Sequence, residues 1–131
     1  MTFLFNKHEL SNWAYLYCRD IKDDPEIRSL ITDSVDAYFY CTKINDDPEI
    51  RNLITSSYWA SEYCLYINDD PNIKKYITDP ADAYFYCKDV NNDPEVRQHI
   101  TSRTDASLYC VIINKNDKRL LQLARNGGYD I

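Results

Sequence analysis

Glycine and histidine are scarce in this 131-residue chain, and both shortages exclude classes of enzyme. The two glycines, Gly127 and Gly128, are adjacent and far from any repeat, so the chain lacks the Gly-rich loops of Walker, Rossmann or kinase phosphate sites. The two histidines, His8 and His99, leave few general bases, and no Ser-His-Asp or Cys-His arrangement recurs. The sequence therefore predicts a non-enzymatic protein with no catalytic residues, no metal ligands and no cofactor.

The chain also lacks long apolar runs and an excess of basic over acidic residues. No stretch of about 18 apolar residues occurs, so no contact with a membrane is expected, and the first seven residues do not resemble a secretory signal. The chain has 15 basic and 21 acidic residues, a net charge of −6. Residues 1–114 carry 11 basic and 19 acidic side chains (−8), and residues 115–131 carry 4 and 2 (+2). Because coating a nucleic acid requires basic surface, no direct nucleic-acid contact is expected.

The five cysteines lie 23 residues apart, and this spacing organises the sequence. In every repeat Ala precedes Cys by four residues, Tyr precedes it by one, and Ile or Val follows it by three. An internal period of this length is typical of a solenoid, in which each repeat buries its apolar face against the next. The cysteines are Cys18, Cys41, Cys64, Cys87 and Cys110.

Each repeat contains two predicted helices, named helix A and helix B here. The apolar positions −4, −1, 0 and +3 relative to Cys form one face of an α-helix, helix B. Helix A opens on an Asp-Pro pair, as at Asp24-Pro25, and is predicted to run about two turns to the residue equivalent to Ile31. The predicted N-caps of helix B lie eight residues before Cys, at Asp33, Ser56, Asp79 and Ser102.

These helices predict an all-α fold, a short α-solenoid of helix-turn-helix repeats that forms one domain over residues 1–126. Its repeats lie near 1–22, 23–45, 46–68, 69–91 and 92–114, and a capping helix covers 115–126. Phe3, Leu4 and Phe5 replace the Asp-Pro opening in the first repeat, and the capping helix matches helix A with one residue inserted. Residues 127–131 are expected to form a flexible tail.

The cysteines are expected to be small core residues. Equivalent residues of stacked helices are about 8–10 Å apart, which exceeds the Cα separation of about 4.4–6.8 Å that a disulfide needs. Their spacing also matches no zinc-binding pattern. Free, buried thiols favour a reducing compartment, which predicts a cytoplasmic protein.

Aromatic residues form two sets. The Tyr before each Cys is expected to be structural, with its ring between helices and its hydroxyl bound to a backbone group. A less regular set lies beside the core positions and is expected either to pack at the edge of the core or to form an exposed aromatic strip that binds a protein. Its members are Tyr15, Tyr38, Phe39, Tyr58, Trp59, Tyr84 and Phe85.

Aspartates recur at the predicted helix starts, where capping explains one Asp per helix. Capping does not explain the additional Asp23, Asp46 and Asp69, which form a second candidate binding surface because evenly spaced carboxylates can imitate a phosphate backbone. A basic residue also follows each helix A cap by four positions, where an ion pair with that cap is expected. These residues are Arg28, Arg51, Lys74 and Arg97.

Residues 77–90 resemble the short helical repeats of bacteriophage and giant-virus proteins, whose pattern is Ile-x-x-Asp-Pro-Glu-x-Ala-Tyr-x-Tyr-Ala-x-x-Val/Ile. Residues 31–44 match this pattern more loosely, and residues 54–67 and 100–113 keep mainly its Ile, Ala and Tyr positions. The resemblance implies a helical array of viral or phage origin and brings no catalytic residues. The matching residues are Ile77, Asp79, Pro80, Ala83, Tyr84, Tyr86 and Val90.

Together these features favour a protein that binds another macromolecule, because solenoids present extended surfaces at their non-core positions. A protein-binding inhibitor or adaptor that acts on a host-encoded protein, such as an antiviral defence component, fits the resemblance and the acidic charge best. One alternative is an acidic nucleic-acid mimic that blocks a DNA- or RNA-binding protein. Another is a structural module that assembles with itself, and the sequence leaves the oligomeric state open.

Overall fold

A computed structural model describes residues 5–128 of the chain, and these residues form ten α-helices and no strand. The predicted all-α repeat fold of the solenoid type is confirmed. The helix B segments are α1 (Lys7–Asp20), α3 (Ser34–Lys43), α5 (Ser57–Tyr66), α7 (Pro80–Asp89) and α9 (Arg103–Ile112). The helix A segments are α2 (Pro25–Arg28), α4 (Pro48–Arg51), α6 (Pro71–Lys74), α8 (Pro94–Arg97) and the C-terminal α10 (Lys118–Asn126). None of these helices is long and apolar enough to cross a bilayer.

The Asp-Pro pairs start the helix A segments as predicted. Asp24 accepts a hydrogen bond from the backbone N–H of Glu26, and Pro25 occupies the first helical position, where its missing N–H costs nothing. The predicted length is wrong, because α2 has a single α-helical turn. The chain then tightens, since the N–H groups of Leu30 and Ile31 donate three residues back, to the carbonyls of Ile27 and Arg28.

The helix B segments bury the Ala, Tyr and Cys positions that the repeat predicts, apart from Tyr17, which is half-buried. The position three after Cys is not a full core position. Ile21 is 71% exposed, and its equivalents in the other repeats are half-buried. The physical reason is that this residue lies one position past the helix as its C-cap, with its N–H bonded to the carbonyl of Tyr17 in the first repeat.

The predicted N-caps of helix B differ in how they act. Asp79 and Ser102 accept backbone N–H bonds from the first turns of α7 and α9. Asp33 occupies the N-cap position of α3 without a capping bond, because its carboxylate lies 2.8 Å from Nδ1 of His8.

The chain divides into two compact units, Met1–Trp59 and Ala60–Ile131. In the first unit α1 packs against α2 and α3, and α3 packs against α4. In the second unit α7 packs against α8 and α9, and α9 packs against α10. Each helix B named here therefore contacts the helix A that follows it, and α1 and α7 each contact the next helix B.

The C-terminal capping segment forms α10, whose N-cap Asp117 lies 24 residues after Asp93, so the predicted single insertion is confirmed. Leu120 and Ala124 of α10 are fully buried. The helix ends at Gly127, and Gly128 has a φ of 86°, a conformation that glycine adopts without strain. Phe3, Leu4 and the last three residues of the expected tail lie outside the described residues.

Candidate protein-binding surface

Five aromatic residues of the first unit form one connected group, which we call the aromatic cluster. They come from three successive helix B segments: Tyr15 of α1, Tyr38 and Phe39 of α3, and Tyr58 and Trp59 of α5. Their ring centroids are 6.3 Å apart for Tyr15–Phe39, 5.0 Å for Tyr38–Trp59, 5.4 Å for Phe39–Trp59 and 4.8 Å for Tyr58–Trp59. The structure therefore brings together the members of the aromatic strip that lie in this unit.

The aromatic cluster has a buried layer and an accessible layer. Tyr15 and Tyr38 are buried, so these two residues belong to the core. Phe39 and Trp59 are half-buried, and Tyr58 is 52% exposed. The two expectations for this set thus apply to different residues: the first pair packs in the core, and the other three rings present a surface.

Three of the ring pairs in the cluster pack edge to face, whereas the Tyr15–Phe39 and Tyr38–Trp59 pairs are tilted at 42° and 36°. The interplanar angles are 73° for Tyr38–Phe39, 61° for Phe39–Trp59 and 84° for Tyr58–Trp59, the arrangement that aromatic quadrupoles prefer. Rings at these separations touch each other, so the cluster offers a continuous surface and not a cage for a small ligand. Each ring holds its neighbour in place, which lowers the entropy cost of binding a partner.

The remaining members of the predicted strip lie in the second unit as a separate pair. Tyr84 is buried, its ring centroid is 5.2 Å from that of Phe85, and Phe85 is 51% exposed. Nζ of Lys88 lies 5.8 Å from the Phe85 centroid, within cation–π range. At the position of Tyr84 the other two repeats have Ser61 and Ser107, so this unit has no equivalent of the three-helix cluster.

The additional aspartates have partners inside the fold. The hydroxyl of Tyr40 donates to both carboxylate oxygens of Asp23 at 2.8 Å, and the hydroxyl of Tyr86 donates to Asp69 at 2.7 Å. In the fifth repeat the hydroxyl of Tyr109 donates to the side-chain oxygen of Asn92 at 3.0 Å. The expectation that these hydroxyls bind backbone groups is therefore wrong for Tyr40, Tyr86 and Tyr109. In each case a side-chain oxygen 17 residues upstream accepts the hydrogen bond.

The basic residues of helix A form ion pairs with aspartates other than the cap of their own helix, which was the predicted partner. Nε of Arg28 lies 3.2 Å from Asp23, and Nη1 of Arg28 lies 3.5 Å from Asp47, the cap of the following repeat. Nε of Arg51 lies 3.0 Å from Asp46. The predicted i,i+4 pair with the repeat's own cap is wrong for Arg28, Lys74 and Arg97, whose ion pairs join other residues. The carboxylate of each of these caps accepts from backbone N–H groups of its own helix.

The same inter-repeat ion pair recurs in the second unit. Nζ of Lys74 lies 2.6 Å from Asp93, and Nε of Arg97 lies 3.3 Å from Asp117. In each case a helix A cation reaches the N-cap of the next helix A. The hydrogen bond from Lys74 holds the pKa of Asp93 below its usual range, and the bond to Asp93 raises the pKa of Lys74.

Burial raises the pKa of Tyr40, of Tyr86 and of the five cysteines, which favours their neutral forms. Burial raises the pKa of Tyr40 and Tyr86 far above 10, and the hydrogen bonds to Asp23 and Asp69 add to the rise. Burial likewise raises the pKa of Cys64 to about 12 and that of Cys87 to about 11. All five cysteines are free and buried, as predicted, and their protonated thiols are poor nucleophiles.

Two serines connect successive repeats and were missed by the sequence analysis. Ser11 Oγ donates to the buried carboxylate of Asp36 at 2.7 Å and accepts from the N–H groups of Thr32 and Asp33. Ser34 Oγ accepts from two N–H groups of the next repeat, those of Thr55 and Ser56, and donates to the carbonyl of Leu53. A signal was present, because serine recurs at 11, 34 and 57 with the 23-residue period.

A cavity of about 140 Å³ in the second unit is lined by Lys75, Glu95 and His99 among others, which is less than half the size of a usual ligand pocket. Within residues 5–128 no three His, Cys, Asp or Glu side chains converge in a way that would hold a metal ion.

Comparisons with protein families, with characterised proteins and with solved structures give no match for this chain.

Proposed function

We propose that this chain is a non-enzymatic, protein-binding repeat protein and that the exposed rings of the aromatic cluster contact its partner. The observation that carries the proposal is a connected group of rings from α1, α3 and α5 whose outer members, Phe39, Tyr58 and Trp59, are accessible. Tyr and Trp dominate the binding energy of protein interfaces because they bury large areas with few rotatable bonds.

The charge of the first unit favours a protein partner over a nucleic acid. Its described residues carry 6 basic and 10 acidic side chains, a net charge of −4. Aromatic platforms that stack nucleic-acid bases are accompanied by a basic groove that follows the phosphates. An acidic unit repels phosphates, whereas it is compatible with a protein whose surface is basic or neutral around an apolar centre.

The contacts of the additional aspartates weaken the alternative of nucleic-acid mimicry. Asp23 and Asp69 accept tyrosine hydroxyls, and Asp46 is paired with Arg51. A carboxylate that is already bound within the fold has less capacity to bind a partner's arginine or lysine. We therefore place the partner on the aromatic cluster rather than on the acidic row.

The biological role that we propose is that of an inhibitor or adaptor acting on a host protein. Support for this comes from the resemblance of residues 77–90 to phage and giant-virus repeats. The free, buried cysteines are compatible with the reducing cytoplasm that such a role implies.

The proposal is tested by differential capture from bacterial and eukaryotic lysates. Three baits are compared: the unmodified chain, a variant with Phe39→Ser, Tyr58→Ser and Trp59→Ser, and a control with Leu65→Ser, Tyr66→Ser and Leu108→Ser. The control also removes three exposed apolar side chains, which lie outside the aromatic cluster. Circular dichroism first establishes that all baits are helical.

The expected result is a protein that the unmodified chain and the control retain and that the aromatic variant loses. Loss of two or three hot-spot rings weakens binding by at least 100-fold, which removes the partner from a pull-down. A protein retained equally by all three folded baits, or lost only by the control, refutes the assignment of the surface. Charge reversal at Asp23, Asp46 and Asp69 that abolishes capture while leaving the helices intact would favour mimicry instead.

A further inference from the structure

We propose that copies of this chain associate head to tail, with α1 of one copy packing as the helix B that follows α10 of another copy. Within residues 5–128, α1 is a helix B without a helix A before it, and α10 is a helix A equivalent without a helix B after it. The α10 end of one copy and the α1 end of another would therefore together form one complete repeat. The contact is heterologous, because different surfaces of the two copies meet.

Two residues at the α1 end are more accessible than their equivalents in the other repeats. The Tyr before Cys is fully buried in the other four repeats, whereas Tyr17 is half-buried. The hydroxyl of Tyr17 has no hydrogen-bond partner among the described residues, although Tyr40, Tyr86 and Tyr109 each donate to a side chain 17 residues upstream. Ile21 is 71% exposed, whereas its equivalents are half-buried. This face has the composition of an inter-repeat contact.

The α10 end offers the matching acceptor. Asn116 directly precedes the N-cap Asp117, just as Asp23 precedes Asp24 and Asn92 precedes Asp93. Asn92 accepts the hydroxyl of Tyr109 at 3.0 Å, so an asparagine serves at this position as well as an aspartate. The side chain of Asn116 is exposed and has no hydrogen-bond partner within residues 5–128. Its equivalents indicate that Tyr17 of a second copy would donate to it.

The charges of the two ends are compatible with contact between unlike ends. Residues 115–128 carry four basic side chains and one acidic side chain, a net charge of +3. Helix α1 is neutral, because Lys7 and Arg19 balance Glu9 and Asp20. Contact between two α10 ends would bring like charges together, whereas contact between an α10 end and an α1 end would not.

The first test is sedimentation velocity of the purified chain from micromolar to millimolar concentration. The expected result is a weight-average mass that rises with concentration. Ile21→Arg is expected to reduce the association constant at least tenfold, and Tyr17→Phe to reduce it about three- to tenfold through loss of one hydrogen bond. The matched control is Val111→Arg, which adds the same charge at a side chain that is 69% exposed. Position 111 is exposed in every repeat, so no neighbouring repeat covers it.

The second test uses complementation to separate head-to-tail from symmetric association. Ile21→Arg blocks the α1 end, and Asn116→Arg blocks the α10 end. Each variant alone should be monomeric, and an equimolar mixture should form dimers that do not grow further, since one intact end of each kind remains. A monomeric unmodified chain, an equal effect of Val111→Arg, or a mixture that stays monomeric overturns the proposal. The variant lacking Phe39, Tyr58 and Trp59 should still associate, so this inference and the proposed function fail independently.

Discussion

In three repeats the hydroxyl of a helix B tyrosine bonds to the residue just before the helix A cap. Removing this hydroxyl tests how much the bond stabilises the fold, and whether a charged acceptor contributes more than a neutral one. Tyr40→Phe and Tyr86→Phe each remove one hydroxyl that donates to a carboxylate, at 2.8 Å and 2.7 Å. Tyr109→Phe removes a hydroxyl that donates to the neutral side chain of Asn92 at 3.0 Å. All three rings are fully buried, so each substitution keeps the ring packing and deletes only the hydrogen bond.

The magnitudes follow from the charge of the acceptor. A hydrogen bond to a charged group contributes about 1.5–3 kcal/mol, and one between neutral groups contributes about 0.5–1.5 kcal/mol. Asp23 keeps Arg28 as a partner and Asp69 is exposed to water, so both carboxylates are partly satisfied after the hydroxyl is lost. We therefore expect Tyr40→Phe and Tyr86→Phe to lower the free energy of unfolding by about 1.5–2 kcal/mol each, and Tyr109→Phe to lower it by about 0.5–1 kcal/mol.

Urea unfolding followed by far-ultraviolet circular dichroism measures these differences, with Tyr66→Phe as the control. Tyr66 is 67% exposed, so its substitution should change the free energy of unfolding by less than about 0.5 kcal/mol. For a chain of this size the larger losses correspond to a melting temperature lower by about 4–8 °C. If Tyr40→Phe and Tyr86→Phe cost no more than Tyr66→Phe, or if Tyr109→Phe costs the most, the assigned hydrogen bonds do not stabilise the repeat as argued.

Three further predictions address other contacts. Lys74→Met should lower the free energy of unfolding by about 1 kcal/mol at pH 7. The depressed pKa of Asp93 stabilises the fold above about pH 4, and this contribution is lost as pH falls through the folded value. The difference between the variant and the unmodified chain should therefore shrink as pH is lowered below about 4, as urea titrations at a series of pH values would measure. A thiol reagent should label no cysteine rapidly in the native chain and all five in urea, as mass spectrometry would count. Ser34→Ala should cost about 1–2 kcal/mol in urea unfolding, because two N–H groups of the next repeat lose their acceptor, whereas the exposed Thr42→Ala should cost less than about 0.5 kcal/mol.

Most of the helical framework could be predicted because five copies of the repeat align without gaps. The copies after the first show the same kinds of cap signal, so Asp24 and its equivalents fix the start of helix A, and Asp79 and Ser102 fix the start of helix B. The end of helix B is harder to predict from the sequence, since no glycine or proline marks it. The residue three after Cys recurs every 23 residues as the C-cap of helix B, and periodicity alone does not distinguish a cap position from a core position.

The contacts between repeats could not be predicted, because they depend on the path of the connecting loops. Arg28 lies four residues after one Asp and nineteen before another, and helix geometry alone favours the nearer one. In the fold the nearer carboxylate, Asp24, binds the N–H of Glu26, and the side chain of Arg28 reaches Asp47. The same limit applies to Asp23 and Tyr40, which are 17 residues apart and meet only after the chain has turned back.

The positions that break the period carry the information on function. Tyr58 occupies a position where the other repeats have Asn, Val, Ala and Thr, so packing of the repeat does not require a ring there. Trp59 shares its position with three aspartates and one other Trp, and Phe39 shares its position with Leu, Glu and Phe. A ring that the fold does not need, and that water partly contacts, is unfavourable for solubility and is retained at interfaces. The core accounts for the buried ring of Tyr38. It does not account for the more accessible rings of Phe39, Tyr58 and Trp59, which the proposed protein partner would cover.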